Sequence, residues 1–122
     1  MKYKTQMEAA KHGFVTEEMK IVAKKENVSE EFLLEKIAKG EIVIPRNKNH
    51  NSISPEGIGT GLKTKINVNL GISKDLNDLD LEMQKVEMAL KMGAESIMDL
   101  SNYGKTQEFR KRLIEKSTAM IG

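Results

Sequence analysis

Short apolar strands alternate with amphipathic helices over residues 62–122. The stretches "TKINVNL", "ESIMDL" and "AMIG" have the composition of strands, and "DLDLEMQKVEMALKM" and "TQEFRKRLIEKS" have that of helices. Apolar side chains of the first helix recur at one helical spacing, at Leu79, Met83, Val86 and Leu90. Strands that alternate with helices of this length predict βαβ units and a parallel sheet. We expect this α/β part to be a piece of something longer, because the pattern stops inside its third strand, at Gly122.

The first 45 residues predict a helical region with one short strand. Three helix starts are indicated by hydroxyl side chains with acidic residues close behind them, at Thr5, Thr16 and Ser29. The predicted helix ends are Gly13, Asn27 and Gly40. The apolar stretch "EIVI" then indicates a strand that Pro45 stops.

Residues 46–61, "RNKNHNSISPEGIGTG", predict a loop between these two parts because they are dense in turn-forming residues. Loops of this length inside a compact domain are uncommon, and they are usually functional or disordered. We interpret His50 as a solvated side chain in preference to a ligand or an acid–base group. The "GIGTG" segment precedes a strand and not a helix, so a tight turn is favoured over a phosphate-binding loop.

Composition limits the chemistry that these residues can perform by themselves. The chain has no cysteine and two histidines, His12 and His50, so it predicts no thiolate or histidine-rich metal site of its own. The 20 basic and 18 acidic residues are interspersed, which gives little support for binding to nucleic acid. No apolar run is long enough to span a bilayer, and the start lacks a secretion signal. We therefore expect a cytoplasmic protein without membrane contact.

Polar and soft side chains occur near the ends of two predicted strands. Asn67 and Asn69 share one face of the first strand. Met98 and Asp99 lie one βα repeat further on, and the carboxyl ends of parallel strands meet at one edge, where α/β enzymes place their chemistry. A structural interpretation competes: Asn69 caps the loop, Met98 lies in the core, and Asp99 accepts bonds from nearby backbone. The residues alone favour that second interpretation.

Several segments together resemble a known family. The helical start followed by "IPRNKNH", "KINVNLG" and "MGAESIMDLS" is similar to the beginning of the phosphomethylpyrimidine synthase family, which makes the thiamine pyrimidine. The resemblance runs from Met1 to Gly122 in order and with the family's spacing. It covers the N-terminal minority of that enzyme, so we expect the chain to be a part of something longer.

The resemblance implies a function, a fold and two site residues. The family are radical S-adenosylmethionine (radical SAM) lyases that carry an iron–sulfur cluster of the 4Fe–4S type and a divalent metal such as zinc. They convert aminoimidazole ribotide to hydroxymethylpyrimidine phosphate. A helical N-terminal region precedes a (β/α)8 barrel, of which this chain would hold the first βαβαβ part. The family's substrate-binding residues match Asn69 and Met98, so the amide face of the strand is expected to line the substrate cavity.

The resemblance assigns no catalytic residue and no metal ligand to this chain. The cluster cysteines, the metal-binding histidines and the S-adenosylmethionine site lie in later parts of the family's sequence. We therefore expect the chain alone to bind no cofactor and to be inactive, and we expect the full-length protein to be a homodimer. Two alternatives stay open: a stand-alone binding or regulatory module derived from the family, and a nucleic-acid module of the N-terminal helices, which the charge balance disfavours.

Overall fold

A computed structural model describes all residues, 1–122, and has mixed α/β architecture with five helices and two small sheets. The chain forms two compact units. Unit 1 comprises residues 1–45 and 55–64, and unit 2 comprises residues 46–54 and 65–122. No helix combines the length and the apolar composition that crossing a bilayer requires. The α/β class that the sequence predicts is confirmed. The three parallel strands do not close into a barrel.

Unit 1 begins with the three predicted helices, α1 (Gln6–Lys11), α2 (Glu17–Glu26) and α3 (Glu30–Ala38). Each predicted hydroxyl cap accepts a backbone N–H of the first turn: Thr5 from Glu8 at 3.0 Å, Thr16 from Met19 at 3.1 Å, and Ser29 from Phe32 at 3.1 Å. These bonds satisfy amide groups that the helix itself leaves without partners. The N-terminal helical region is therefore confirmed by its caps.

A two-stranded antiparallel sheet completes unit 1. Strand β1 (Ile42–Val43) pairs with β2 (Ile58–Gly59), with Ile42 opposite Gly59. A Cβ atom at Gly59 would lie 2.1 Å from the Glu41 carbonyl oxygen, so only glycine allows the strands to approach this closely. Residues 58 and 59 of the "GIGTG" segment thus form a strand, and the predicted tight turn follows it: the Leu62 backbone N–H donates to the Gly59 carbonyl at 3.2 Å.

Unit 2 contains the predicted βαβαβ pattern. Its elements are β3 (Asn67–Leu70), α4 (Leu79–Lys91), β4 (Ser96–Asp99), α5 (Thr106–Lys116) and β5 (Met120–Ile121). The three strands are parallel and lie in the order β3-β4-β5. The helices cover one face of this sheet, where apolar side chains from strands and helices are buried together, among them Leu70, Val86, Ile97, Phe109 and Leu113.

Residues 46–54 pack within unit 2 and cover the end of α5. His50 is 2% exposed, and its Nε2 atom lies 2.6 Å from the Ser117 carbonyl oxygen. The Ser52 hydroxyl lies within hydrogen-bond distance of the same oxygen, at 2.7 Å, and of the Ile114 oxygen, at 3.0 Å. The interpretation of His50 as a solvated side chain is therefore wrong: the last carbonyl groups of α5 need donors, and this segment supplies them.

Candidate functional site

The carboxyl ends of β3 and β4 meet at one edge of the sheet. Their parallel register places Asn69 opposite Met98 and Leu70 opposite Asp99. Asn69 is exposed and Met98 is 41% exposed, both on the face of the sheet opposite the helices. The structure thus brings Asn69 and Met98 together, and it contradicts the interpretation of Met98 as a core residue.

The two asparagines on β3 are bonded to each other. The Nδ2 atom of Asn67 donates to the Oδ1 atom of Asn69 at 2.8 Å, as expected for side chains two residues apart on one face of a strand. The Asn69 oxygen therefore has one of its two acceptor positions filled, and its amide N–H groups make no hydrogen bond within the chain. In this arrangement Asn69 can donate hydrogen bonds to a ligand above the sheet.

The loops that follow the two strands are held against each other. Gly71 has a φ of +153°, and a Cβ atom there would lie 2.5 Å from the Ser101 backbone nitrogen, so the position requires glycine. The Ile72 backbone N–H donates to the Ser101 hydroxyl at 2.8 Å, and the Asn102 N–H donates to the Ile72 carbonyl at 3.0 Å. The ends of β3 and β4 are thus joined beyond their last paired residues.

A buried carboxylate that sequence reasoning missed lies behind the β3 loop. Glu82 of α4 is fully buried; its Oε2 atom accepts the Gly71 backbone N–H at 3.0 Å, and its Oε1 atom accepts from Lys85 at 2.7 Å. One pattern in the sequence would have revealed it. Glu82 lies three residues after Leu79 and four before Val86, on the apolar face of the helix.

A second carboxylate, Asp99, lies behind the β4 loop. Its side chain is 3% exposed; Oδ1 accepts the Ser101 backbone N–H at 2.9 Å, and Oδ2 accepts from the Arg110 guanidinium at 2.9 Å. Burial raises the pKa of Asp99, but the hydrogen bonds from Ser101 and Arg110 outweigh burial and hold the pKa below its ordinary value. The predicted bond from Asp99 to nearby backbone is confirmed, and Arg110 is a partner that the sequence did not indicate.

The sequence model of the radical SAM ThiC family matches residues 5–122. The chain belongs to the radical SAM ThiC family. It is 66% identical to a phosphomethylpyrimidine synthase of Clostridium perfringens, 65% to one of Alkaliphilus oremlandii and 63% to one of Clostridium botulinum. Each comparison covers all of this chain and 28% of the relative, so the chain spans little more than a quarter of the length of these proteins. The resemblance stated from the motifs is confirmed.

The radical SAM ThiC family implies a cluster that the residues of this chain do not fit. Iron–sulfur clusters are held by cysteine thiolates, and the chain has no cysteine. Residues 1–122 also contain no group of three histidine, cysteine, aspartate or glutamate side chains placed to hold a metal ion. The exposed groups at the carboxyl edge of the sheet are the Asn69 amide and the Met98 thioether.

The lowered pKa of Asp99 predicts a pH-dependent contribution to stability. The carboxyl group binds a proton less readily in the folded than in the unfolded chain, so its contribution is present near neutral pH and is lost as the pH falls below about 4. We expect Asp99→Asn to reduce the difference between the free energies of unfolding at about pH 7 and about pH 3. Urea denaturation at both pH values measures this difference.

Asp80→Asn serves as the matched control because the Asp80 side chain is 90% exposed. It should keep the wild-type difference between the two pH values. An Asp99→Asn variant that loses as much stability on acidification as the wild type would show that the bonds from Ser101 and Arg110 do not stabilise the charged carboxylate.

Proposed function

We propose that this chain is the N-terminal part of a phosphomethylpyrimidine synthase, a radical SAM lyase that converts aminoimidazole ribotide to hydroxymethylpyrimidine phosphate in thiamine biosynthesis. The observation that carries the proposal is the 63–66% identity to proteins of that name along the whole chain. A stand-alone binding or regulatory module is not favoured, because the relatives that match along the whole chain are named phosphomethylpyrimidine synthases. We also propose a cytoplasmic location and a homodimeric full-length protein, as expected from the sequence and the family resemblance.

The parallel sheet of unit 2 is proposed to be the first part of a (β/α)8 barrel. Two features of unit 2 support this. Strands β3 and β5 are both edges of the sheet, and a groove of about 410 Å³ lies beside β3 and α4. Large apolar side chains of this groove are exposed, Ile66 by 59% and Met92 by 81%. Parallel sheets normally have both faces covered, so further βα units are the expected cover.

Asn69 and Met98 are proposed to bind the ribotide at the carboxyl edge of this sheet. Asn69 would donate an amide N–H to a phosphate or hydroxyl oxygen of the substrate, since its own oxygen accepts from Asn67. Met98 offers an exposed, adaptable thioether next to it. These two residues hold the substrate in place, whereas the cofactors, bound by other parts of the full-length protein, supply the radical chemistry.

Product formation tests the proposed function. The full-length protein is this chain joined to the rest of the enzyme, either its own continuation or that of the Clostridium perfringens relative. After anaerobic cluster reconstitution, it should convert aminoimidazole ribotide to hydroxymethylpyrimidine phosphate when S-adenosylmethionine and a reductant are supplied. The 122-residue chain alone should form no product. A cluster-loaded full-length protein that forms none, while the intact relative does so under the same conditions, would contradict the proposal.

Substitution of Asn69 tests the proposed site. In the full-length protein, Asn69→Ala should weaken ribotide binding by about 1–3 kcal/mol, because a substrate oxygen then loses its donor. Titration calorimetry without S-adenosylmethionine measures this affinity directly. Asn67→Asp should weaken binding by a comparable amount, since a carboxylate only accepts and would turn the Asn69 amide group toward itself.

Asn49→Asp makes the same change of charge at an exposed asparagine of the 46–54 segment, and it should leave the affinity unchanged. Wild-type affinity in both Asn69→Ala and Asn67→Asp would remove Asn69 from the substrate site.

A further inference from the structure

Two carboxylates lie at the edge of the sheet that carries Asn69 and Met98, but on its helix-covered face. Glu82 is fully buried, and the side chain of Asp99 is 3% exposed. Neither can contact a ligand above the opposite face of the sheet. Burying a charged carboxylate is unfavourable unless donors surround it, so both groups need a structural reason to be there. In each case the donors include a backbone N–H of a loop that follows a strand.

Glu82 holds the loop after β3. It accepts the backbone N–H of Gly71, which is two residues after Asn69. Hydrogen bonds to a charged acceptor are stronger than those between neutral groups, and they are strongest away from water. The bond therefore fixes the direction in which the chain leaves β3, and with it the end of the strand that presents Asn69.

Asp99 and Ser101 hold the loop after β4 and connect it to the first loop. Asp99 accepts the Ser101 backbone N–H at 2.9 Å, which orients Ser101. The Ser101 hydroxyl then accepts the Ile72 N–H at 2.8 Å, and the Leu100 N–H donates to the Leu70 carbonyl at 2.8 Å. We call the side chains of Glu82, Asp99 and Ser101, with their bonds to these loops, the strand-end clamp.

We propose that the strand-end clamp is a positioning device for the substrate site: it fixes the distance and orientation between Asn69 and Met98 from behind the sheet. This inference rests on the proposed function. A substrate that contacts both residues binds tightly only if the two strand ends keep one relative position. Loosening the clamp should therefore lower substrate affinity although no clamp side chain touches the substrate.

Ser101→Ala in the full-length protein removes the hydroxyl that accepts from Ile72 and bonds the Asp99 carboxylate, and it keeps the backbone N–H bond to Asp99. We expect Ser101→Ala to weaken ribotide binding about tenfold by titration calorimetry, the lower end of the range for residues that orient metal ligands in the same indirect way. Ser101→Thr retains a hydroxyl and should restore most of the affinity. Glu82→Gln is an independent variant that weakens the hold on Gly71, and it should also weaken binding.

Glu87→Gln is the matched control for Glu82→Gln. It makes the same change on α4 at a side chain that is 56% exposed and pairs with Lys116, and it should leave the affinity unchanged. Binding is measured well below the melting temperature of each variant, which is recorded in parallel. If the clamp only stabilises the fold, its variants should have a lower melting temperature but the wild-type affinity for the ribotide.

The double variant Asn69→Ala/Ser101→Ala shows whether the clamp acts through Asn69. If it does, the combined loss of affinity is smaller than the product of the two single losses. Wild-type affinity in Ser101→Ala and Glu82→Gln, or fully multiplicative losses in the double variant, would overturn the inference. Different results would contradict the proposed function: the unsubstituted full-length protein would form no product, and Asn69→Ala would leave ribotide binding unchanged.

Discussion

Parallel pairing of β3 with β4 is the constraint on which the arrangement of unit 2 depends. Two parallel neighbours require a crossover, and α4 provides it, so both strands end at the same edge of the sheet. The register of the pairing then determines which side chains lie together on each face of the sheet. Leu70 and Ile97 face the helices, whereas Asn69 and Met98 face away from them. A shift of one residue would bury the amide and expose the core.

The polar groups at this edge are divided between the two faces according to their hydrogen-bond partners. The carboxylates of Glu82 and Asp99 are buried and satisfied by backbone and cationic donors, and no buried side-chain nitrogen or oxygen atom of the chain lacks a partner. The amides of Asn67 and Asn69 are exposed and leave N–H groups that can donate. Loops that are held by hydrogen bonds behind an exposed donor suit a site that orients a small molecule.

Features that have a local cause could be predicted from the sequence, whereas features that depend on distant residues could not. The caps at Thr5, Thr16 and Ser29 and the alternation of strands with helices are local patterns, and the structure confirms them. The burial of His50 could not be predicted, because it depends on carbonyl groups of α5 that lie far along the chain. The proposed substrate roles of Asn69 and Met98 rest on the family resemblance, since spacing alone favoured a structural role for both.

The most direct test of the account is a crystal structure of the full-length protein with aminoimidazole ribotide bound. We expect the Asn69 Nδ2 atom within about 3.2 Å of a substrate oxygen, and the Met98 side chain within about 4.5 Å of the substrate. The bonds from Gly71 to Glu82 and from Ile72 to Ser101 should both be intact. A ribotide bound away from the carboxyl ends of β3 and β4, or an Asn69 side chain that makes no contact with it, would contradict the account.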